Sequence, residues 1–137
     1  MPNLISSEIY QAISFEAGKS PNFELLKSKF IANGLLINNK GDAPLVKNID
    51  DYIAFIDKNV KASNILSLSE TELNQNVELF GKVGQITSQY SLSFETQSGK
   101  ITRYGVNLFQ IINCGSEWRV SSMCWDDRSD QSLFEIN

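Results

Sequence analysis

Ile101-Thr102-Arg103-Tyr104-Gly105-Val106-Asn107-Leu108-Phe109-Gln110-Ile111-Ile112 is the stretch that decides how this chain folds. Side chains alternate across a strand, so Ile101, Arg103, Gly105, Asn107, Phe109 and Ile111 share one face, and Thr102, Tyr104, Val106, Leu108, Gln110 and Ile112 share the other. Both faces are half apolar and both need cover. Helices can supply it on one side only, so the other side is expected to meet a second copy of the chain or another partner. The expectation is a homodimer through the outer face of the sheet.

Around this run, from Ile65 onward, the helical period is absent and Val, Ile, Thr, Tyr and Phe alternate with turn residues. Strands are expected near 65–75, 77–96, 100–113 and 117–126, joined at Asn76, at Gln97-Ser98-Gly99 and at Cys114-Gly115-Ser116. Connections this short make an antiparallel meander. Gly81 and Gly84 lie inside the long second run, where a bulge or bend would let it curl.

Before Ile65 the pattern is helical. Ser6 and Ser7 are placed to cap a helix over about 7–17 that brings Ile9, Ala12, Ile13 and Glu16 to one side and stops at Gly18. Ser20-Pro21 starts a second helix with Phe23, Leu26, Phe30 and Ile31 as its stripe, running to about Asn33. A short strand at 35–37 and a turn-rich loop at 38–42 follow. Asn48 then caps a third helix with Asp50 and Asp51 in its first turn and Ile49, Ile53, Ile56 and Val60 at helical spacing. The fold class is α+β, with three N-terminal helices packed on a strongly curved antiparallel sheet, as a single domain over 1–137.

The 137 residues include 12 Lys+Arg, 16 Asp+Glu and no His, for a formal charge of -4. An acidic chain without clustered Lys/Arg repels phosphate backbones, so no nucleic-acid partner is expected. Without His the usual zinc ligand and the usual neutral-pH base are gone, and the expectation is no metal and no cofactor. The opening MPNLISSEIY carries no charged leader, and no apolar run is long enough for a bilayer, which points to a soluble cytoplasmic protein with no membrane partner. Cys114 and Cys124 fall roughly 20 Å apart along the sheet, too far for a disulfide. Two free thiols fit a reducing compartment.

Asp126 and Asp127 are neighbours in a strand, so one of them at most enters an apolar cavity, where burial would raise its pKa and make it a base. Otherwise the pair is a solvated strand end. Arg103 and Asn107 sit roughly 13 Å apart on one face with Gly105 between them, open space across which a ligand could lie. The alternatives are a rim ion pair for Arg103 and a bulge cap for Asn107. Tyr90 shares a face with Ile86, Leu92 and Phe94; its ring is core, and its hydroxyl needs a partner or donates to a developing oxyanion. Trp118 and Trp125, seven apart, are expected on opposite faces of the last strand, one of them core. Tyr52 and Phe55 flank the stripe of the third helix and could close a cavity, while Asp42 is read as a turn residue.

Helix-two residues Phe23 to Phe30 leading to Gly34-Leu35-Leu36-Ile37, the strand Tyr104-Gly105-Val106-Asn107-Leu108-Phe109-Gln110, and the ending Trp118-Arg119-Val120-Ser121-Ser122-Met123-Cys124-Trp125-Asp126-Asp127 together carry a resemblance. The chain resembles the nuclear transport factor 2-like (cystatin-like) cone fold, in its polyketide cyclase/ketosteroid isomerase-like branch of unassigned function. The resemblance implies a ligand cavity between the concave sheet and the helices, with dimerisation on the convex face. It also implies a range of roles from isomerases and cyclases to non-catalytic binders, so activity has to be argued from the site. The missing His departs from the dehydratase and several cyclases of that superfamily.

The expected function is a small-molecule-binding domain with a mostly apolar pocket for an unidentified small hydrophobic molecule, contacted by Arg103, Asn107, Trp125 and Tyr52. The alternative is a cofactor-free isomerase or cyclase with Asp126 or Asp127 as base and Tyr90 as oxyanion donor. A protein-interaction module using the sheet face is the third reading.

Overall fold

A computed structural model describes residues 1–130. After a single 3-10 turn (Pro2–Leu4) come α1 (Ile5–Ile13), α2 (Phe23–Ser28), β1 (Phe30–Asn38), β2 (Leu45–Asn48), α3 (Ile49–Lys61), β3 (Ser67–Phe80), β4 (Val83–Thr96), β5 (Gly99–Asn113) and β6 (Trp118–Arg128). The six strands form one sheet in the order β2-β1-β6-β5-β4-β3. β3 to β6 are the expected meander. The sheet is antiparallel throughout except where β1 runs parallel to β6, pairing Leu36 with Met123 and Asn38 with Trp125. The fold class is α+β, with α1 against β3 and α3 against β1 and β2.

Helix one is shorter and earlier than its pattern suggested. Ser6 is buried and donates its hydroxyl to Glu72 instead of capping, and Ser14 closes the helix by donating to the Tyr10 carbonyl at 2.7 Å. Phe15 then leaves in extended form and exchanges two backbone hydrogen bonds with Leu68, of 2.8 and 3.0 Å, which buries its ring. In helix two the cap is Asn22, which accepts from Leu25 N at 3.1 Å, rather than Ser20. The helix ends at Ser28 because Phe30 and Ile31 are drawn into β1, where pairing with β6 outweighs a helical stripe. A register break between Phe30 and Leu35, with Asn33 at φ 61°, lets both ends of β1 reach β6.

The strand β2 was missed. α3 matches its expected start: Asn48 accepts from Asp51 N at 2.8 Å. Asn76 is no turn; β3 passes through it, with a bulge between Glu72 and Asn74, and the hairpin reverses at Gly81-Lys82. Gly81 has φ 57°, a conformation a side chain disfavours, so its glycine belongs to the turn and not to a bend within a strand.

The core fills the space between the helices and the inner sheet face. Ile9 and Ile13 of α1, Ile49 and Ile56 of α3, and Phe109 and Met123 of the sheet belong to one buried cluster. Registers stack the inner face into cross-strand rows. One runs Glu70, Leu92, Arg103; the next Glu72, Tyr90, Gly105, Asp127; the third Ser88, Asn107, Trp125, Asn38. On the outer face Ile37, Val106, Leu108 and Cys124 line an open apolar depression of about 430 Å³.

Candidate functional site

The three rows face α1 and α3 across a cavity of about 190 Å³. Its apolar wall includes Ile13, Tyr52, Ile56, Leu92, Met123 and Trp125, with Tyr52 set edge-on to Trp125 at 6.2 Å between ring centres. Glu70, Tyr90, Asn107 and Asp127 supply its polar groups, and Asn38 and Lys40 stand on its border. This volume is below the roughly 300–1,000 Å³ of drug-sized sites, so it suits a compact molecule. A more open depression of about 610 Å³ beside the Phe15–Leu68 bridge, lined by Ser14, Ser69, Glu16, Glu95 and Lys100 among others, brings no buried ionisable group together.

Asp127 and Asp126 alternate as a strand requires. Asp126 is exposed on the outer face, whereas the Asp127 side chain is 1% exposed. Three donors converge on Asp127: Arg103 Nε on Oδ1 at 2.7 Å, the Tyr90 hydroxyl on Oδ2 at 3.2 Å, and Lys40 Nζ 3.9 Å from Oδ2. Arg103 also donates Nη2 to the Asp127 carbonyl at 3.0 Å. An aspartate held this way has a structural role, since Arg103 and the Tyr90 hydroxyl between them engage both of its carboxylate oxygens. Arg103 is therefore occupied by the protein itself.

The space expected over Gly105 is filled. The hydroxyl end of the Tyr90 ring lies against it, so that a Cβ there would meet the Tyr90 hydroxyl, with Cζ at 2.5 Å and the Asp126 carbonyl at 2.6 Å. Tyr90 spends its proton on Asp127, which removes it as a free oxyanion donor in this arrangement. Burial, and then the Asp127 charge, raises its pKa well above the phenol range.

Asn107 lies at the floor of the cavity, 2% exposed. Its Nδ2 donates to the Tyr10 hydroxyl at 2.9 Å, which lies 2.7 Å from Ser88 Oγ, and Ser88 donates to Glu72 at 2.6 Å. Asn107 Oδ1 is buried with no partner among the described residues.

Glu70 was not singled out by sequence reasoning. It stands on the inner face of β3, half-buried, and burial followed by the Asp127 charge pushes its carboxyl up to about 8. The available signal was the period-2 run Leu68-Ser69-Glu70-Thr71-Glu72, which puts two carboxylates on the face of a buried-side leucine. Tyr52 is raised too, by burial and then by Glu70. Trp118 and Trp125 both pack on the core, because an extra residue in β6 at Ser121 breaks the alternation between Ile111–Val120 and Gln110–Ser122. Cys114 and Cys124 are free thiols. Among the described residues no group of three His, Cys, Asp or Glu is arranged to hold a metal ion, and no helix is long and apolar enough to cross a membrane.

No protein-family model and no curated protein matches the sequence. Solved structures do. A protein of unknown function with a cystatin-like fold from Nostoc punctiforme PCC 73102 is similar with a TM-score of 0.70 at 9% identity, over 97% of this chain and 92% of that one. The hexachlorocyclohexane dehydrochlorinase LinA-type3 of Novosphingobium barchaimii LL02 is similar with a TM-score of 0.74 at 11% identity, over 93% and 84%. A protein of the NTF2-like family from Streptomyces avermitilis is similar with a TM-score of 0.70 at 13% identity, over 93% and 94%. At such identities the likeness is one of fold.

Proposed function

The chain has the nuclear transport factor 2-like, cystatin-like fold, and from that premise we propose that it is a single-domain protein that binds a compact, largely apolar molecule in the cavity between its concave sheet and α3, acting as a homodimer. The observation that carries this reading is the convergence of Glu70, Asn107 and the Tyr90–Asp127–Arg103 group on one cavity whose other walls are aliphatic and aromatic. Few polar groups in an apolar enclosure are what orients a small ligand. The dimer reading is supported by the apolar outer face at Ile37, Val106 and Leu108. Native mass spectrometry of the protein purified from its own host tests both: the expected result is a dimer carrying one small molecule per chain. An empty monomer, unmoved in melting temperature by a broad ligand panel, would sink the proposal.

A second reading is favoured by Glu70. A carboxyl pushed up to about 8 beside a compact cavity is suited to take a proton from, or give one to, a substrate carbon or oxygen near neutral pH. It is a better acid–base group than Asp127, whose acceptor sites are occupied by Arg103 and Tyr90. In a cofactor-free isomerase or cyclase of this kind, Glu70→Gln is expected to lower turnover by about 10²–10⁴-fold while leaving substrate binding in place. If Glu70 is the base, kcat/KM rises with pH through about 8.

The same group makes a stability prediction that needs no substrate. A carboxyl of ordinary pKa 4.5 when unfolded and about 8 when folded keeps its proton longer in the folded state. Between those values the folded state binds more protons than the unfolded one, so stability falls as pH rises through that window and is level above it. Glu70→Gln is expected to remove this slope, gaining on the order of 1–3 kcal/mol above pH 8 once partial solvent screening is allowed for. Urea unfolding at a series of pH values measures it, and an unchanged slope in the variant would mean that Glu70 ionises normally.

A further inference from the structure

The polar chain beneath the cavity has a direction. Ser88 has one hydroxyl proton and gives it to the Glu72 carboxylate, which also accepts from Ser6. Tyr10 must then be the donor in its contact with Ser88, and with its proton spent it can only accept from Asn107. The Glu72 carboxylate thus orients, through two hydroxyls, the amide of a residue two strands away in the sheet: Nδ2 turns into the chain and Oδ1 is left over. That oxygen is buried and unpartnered among the described residues, on a side chain that lines the cavity. Tyr90 likewise spends its proton within the protein, on Asp127. The floor hydroxyls of Tyr10, Ser88 and Tyr90 are thus spent on partners within the protein, and the unpartnered group at the floor among the described residues is an acceptor. A buried acceptor of this kind rejects a ligand that brings another acceptor or nothing, and rewards one that brings a proton.

We propose that the cavity selects a compact ligand whose apolar body carries a hydroxyl or amino hydrogen-bond donor, and that this donor is received by Asn107 Oδ1. Tyr10 and Ser88 are positioning residues: they touch no ligand and act by holding the amide one way round. The inference rests on the cavity being a ligand site, and it specifies the chemistry of that ligand.

The test uses the full chain and three one-ring probes: benzyl alcohol, its isomer anisole, and benzylamine. Benzyl alcohol and anisole have the same atoms, but only the alcohol has a proton to donate. Titration calorimetry is expected to give an affinity at least tenfold higher for benzyl alcohol than for anisole. Tyr10→Phe releases the amide to turn its NH₂ toward the cavity, and should shrink that gap to threefold or less, mainly by improving anisole; a merely structural Tyr10 would weaken both probes alike. Benzylamine binding more tightly than the alcohol, increasingly so as pH rises through the ionisation of Glu70, would assign the donor to an amine, and the reverse order to a hydroxyl. Equal binding of benzyl alcohol and anisole by the unmodified chain overturns the donor inference and leaves the pocket reading standing. Binding of none of the three probes overturns the pocket reading and this inference with it.

Discussion

Gly105→Ala is expected to cost about 2–4 kcal/mol of stability and to break the hydrogen bond between Tyr90 and Asp127. Gly105 sits in the middle of β5 with no positive φ, so its backbone alone would accept any residue. What excludes a side chain is the Tyr90 ring on one side and the Asp126 carbonyl, 2.6 Å from the added Cβ, on the other. The ring is 1% exposed and packed against Tyr10 at 6.0 Å between centres, so it cannot swing out of the way. Moving the carbonyl means parting β5 from β6. Denaturant unfolding of the variant measures the loss, and Gly105→Ala/Tyr90→Leu should recover only the part caused by the ring. A cost below about 0.5 kcal/mol would show that the strands separate easily here and that the floor of the cavity is soft.

Arg103→Met is expected to cost about 3 kcal/mol or more, because among the described residues it leaves the buried Asp127 with only Tyr90 and the distant Lys40 to satisfy it. The pair itself is a different matter: two desolvated charges regain little net energy, so Arg103→Met/Asp127→Leu should be more stable than Arg103→Met alone. A double-mutant cycle on unfolding free energies separates the cost of orphaning a charge from the worth of the bridge. Additive losses would mean that water reaches Asp127 and that the site is wetter than its burial indicates.

How far the site was legible before the structure depended on alternation. In β5, where the strand runs without interruption, period 2 placed Asn107, Gly105 and Arg103 on one face, and that face is the inner one; for β6 it said only that Asp126 and Asp127 point opposite ways, and the pairing of Gly105 with Asp127 is what brings Asp127 inside. It failed at bulges. Nothing in Val120-Ser121-Ser122-Met123 announces an extra residue, yet Ser121 brings Trp118 to the same side as Trp125. Helix two was overextended because Phe23, Leu26 and Phe30 are spaced equally well for a helix, and only the later arrival of β6 makes Phe30 a strand residue. Glu70 escaped because an inward carboxylate on an edge strand looks like a solvated one until α1 is seen lying against β3. The polarity of Asn107 was beyond any local pattern, since it is set by Tyr10, 97 residues away in sequence.

The single parallel pairing also sets a timetable. A chain emerges from the ribosome N-terminus first, and β3, β4 and β5 can pair with their neighbours as each appears. β1 cannot: its inner partner is β6, about ninety residues later, with Phe30 against Val120. Until then β1 and β2 are a hairpin with one edge unpaired and Phe30 and Leu36 uncovered, a species prone to aggregate. Such long-range closure is slow, and it comes last. Synthesis halted anywhere before β6 would therefore yield two pieces of sheet with a gap where the cavity floor belongs. The cell's burden with this protein falls in the interval between making β1 and making β6, and crowded or rapid expression at high temperature should send much of it into inclusion bodies.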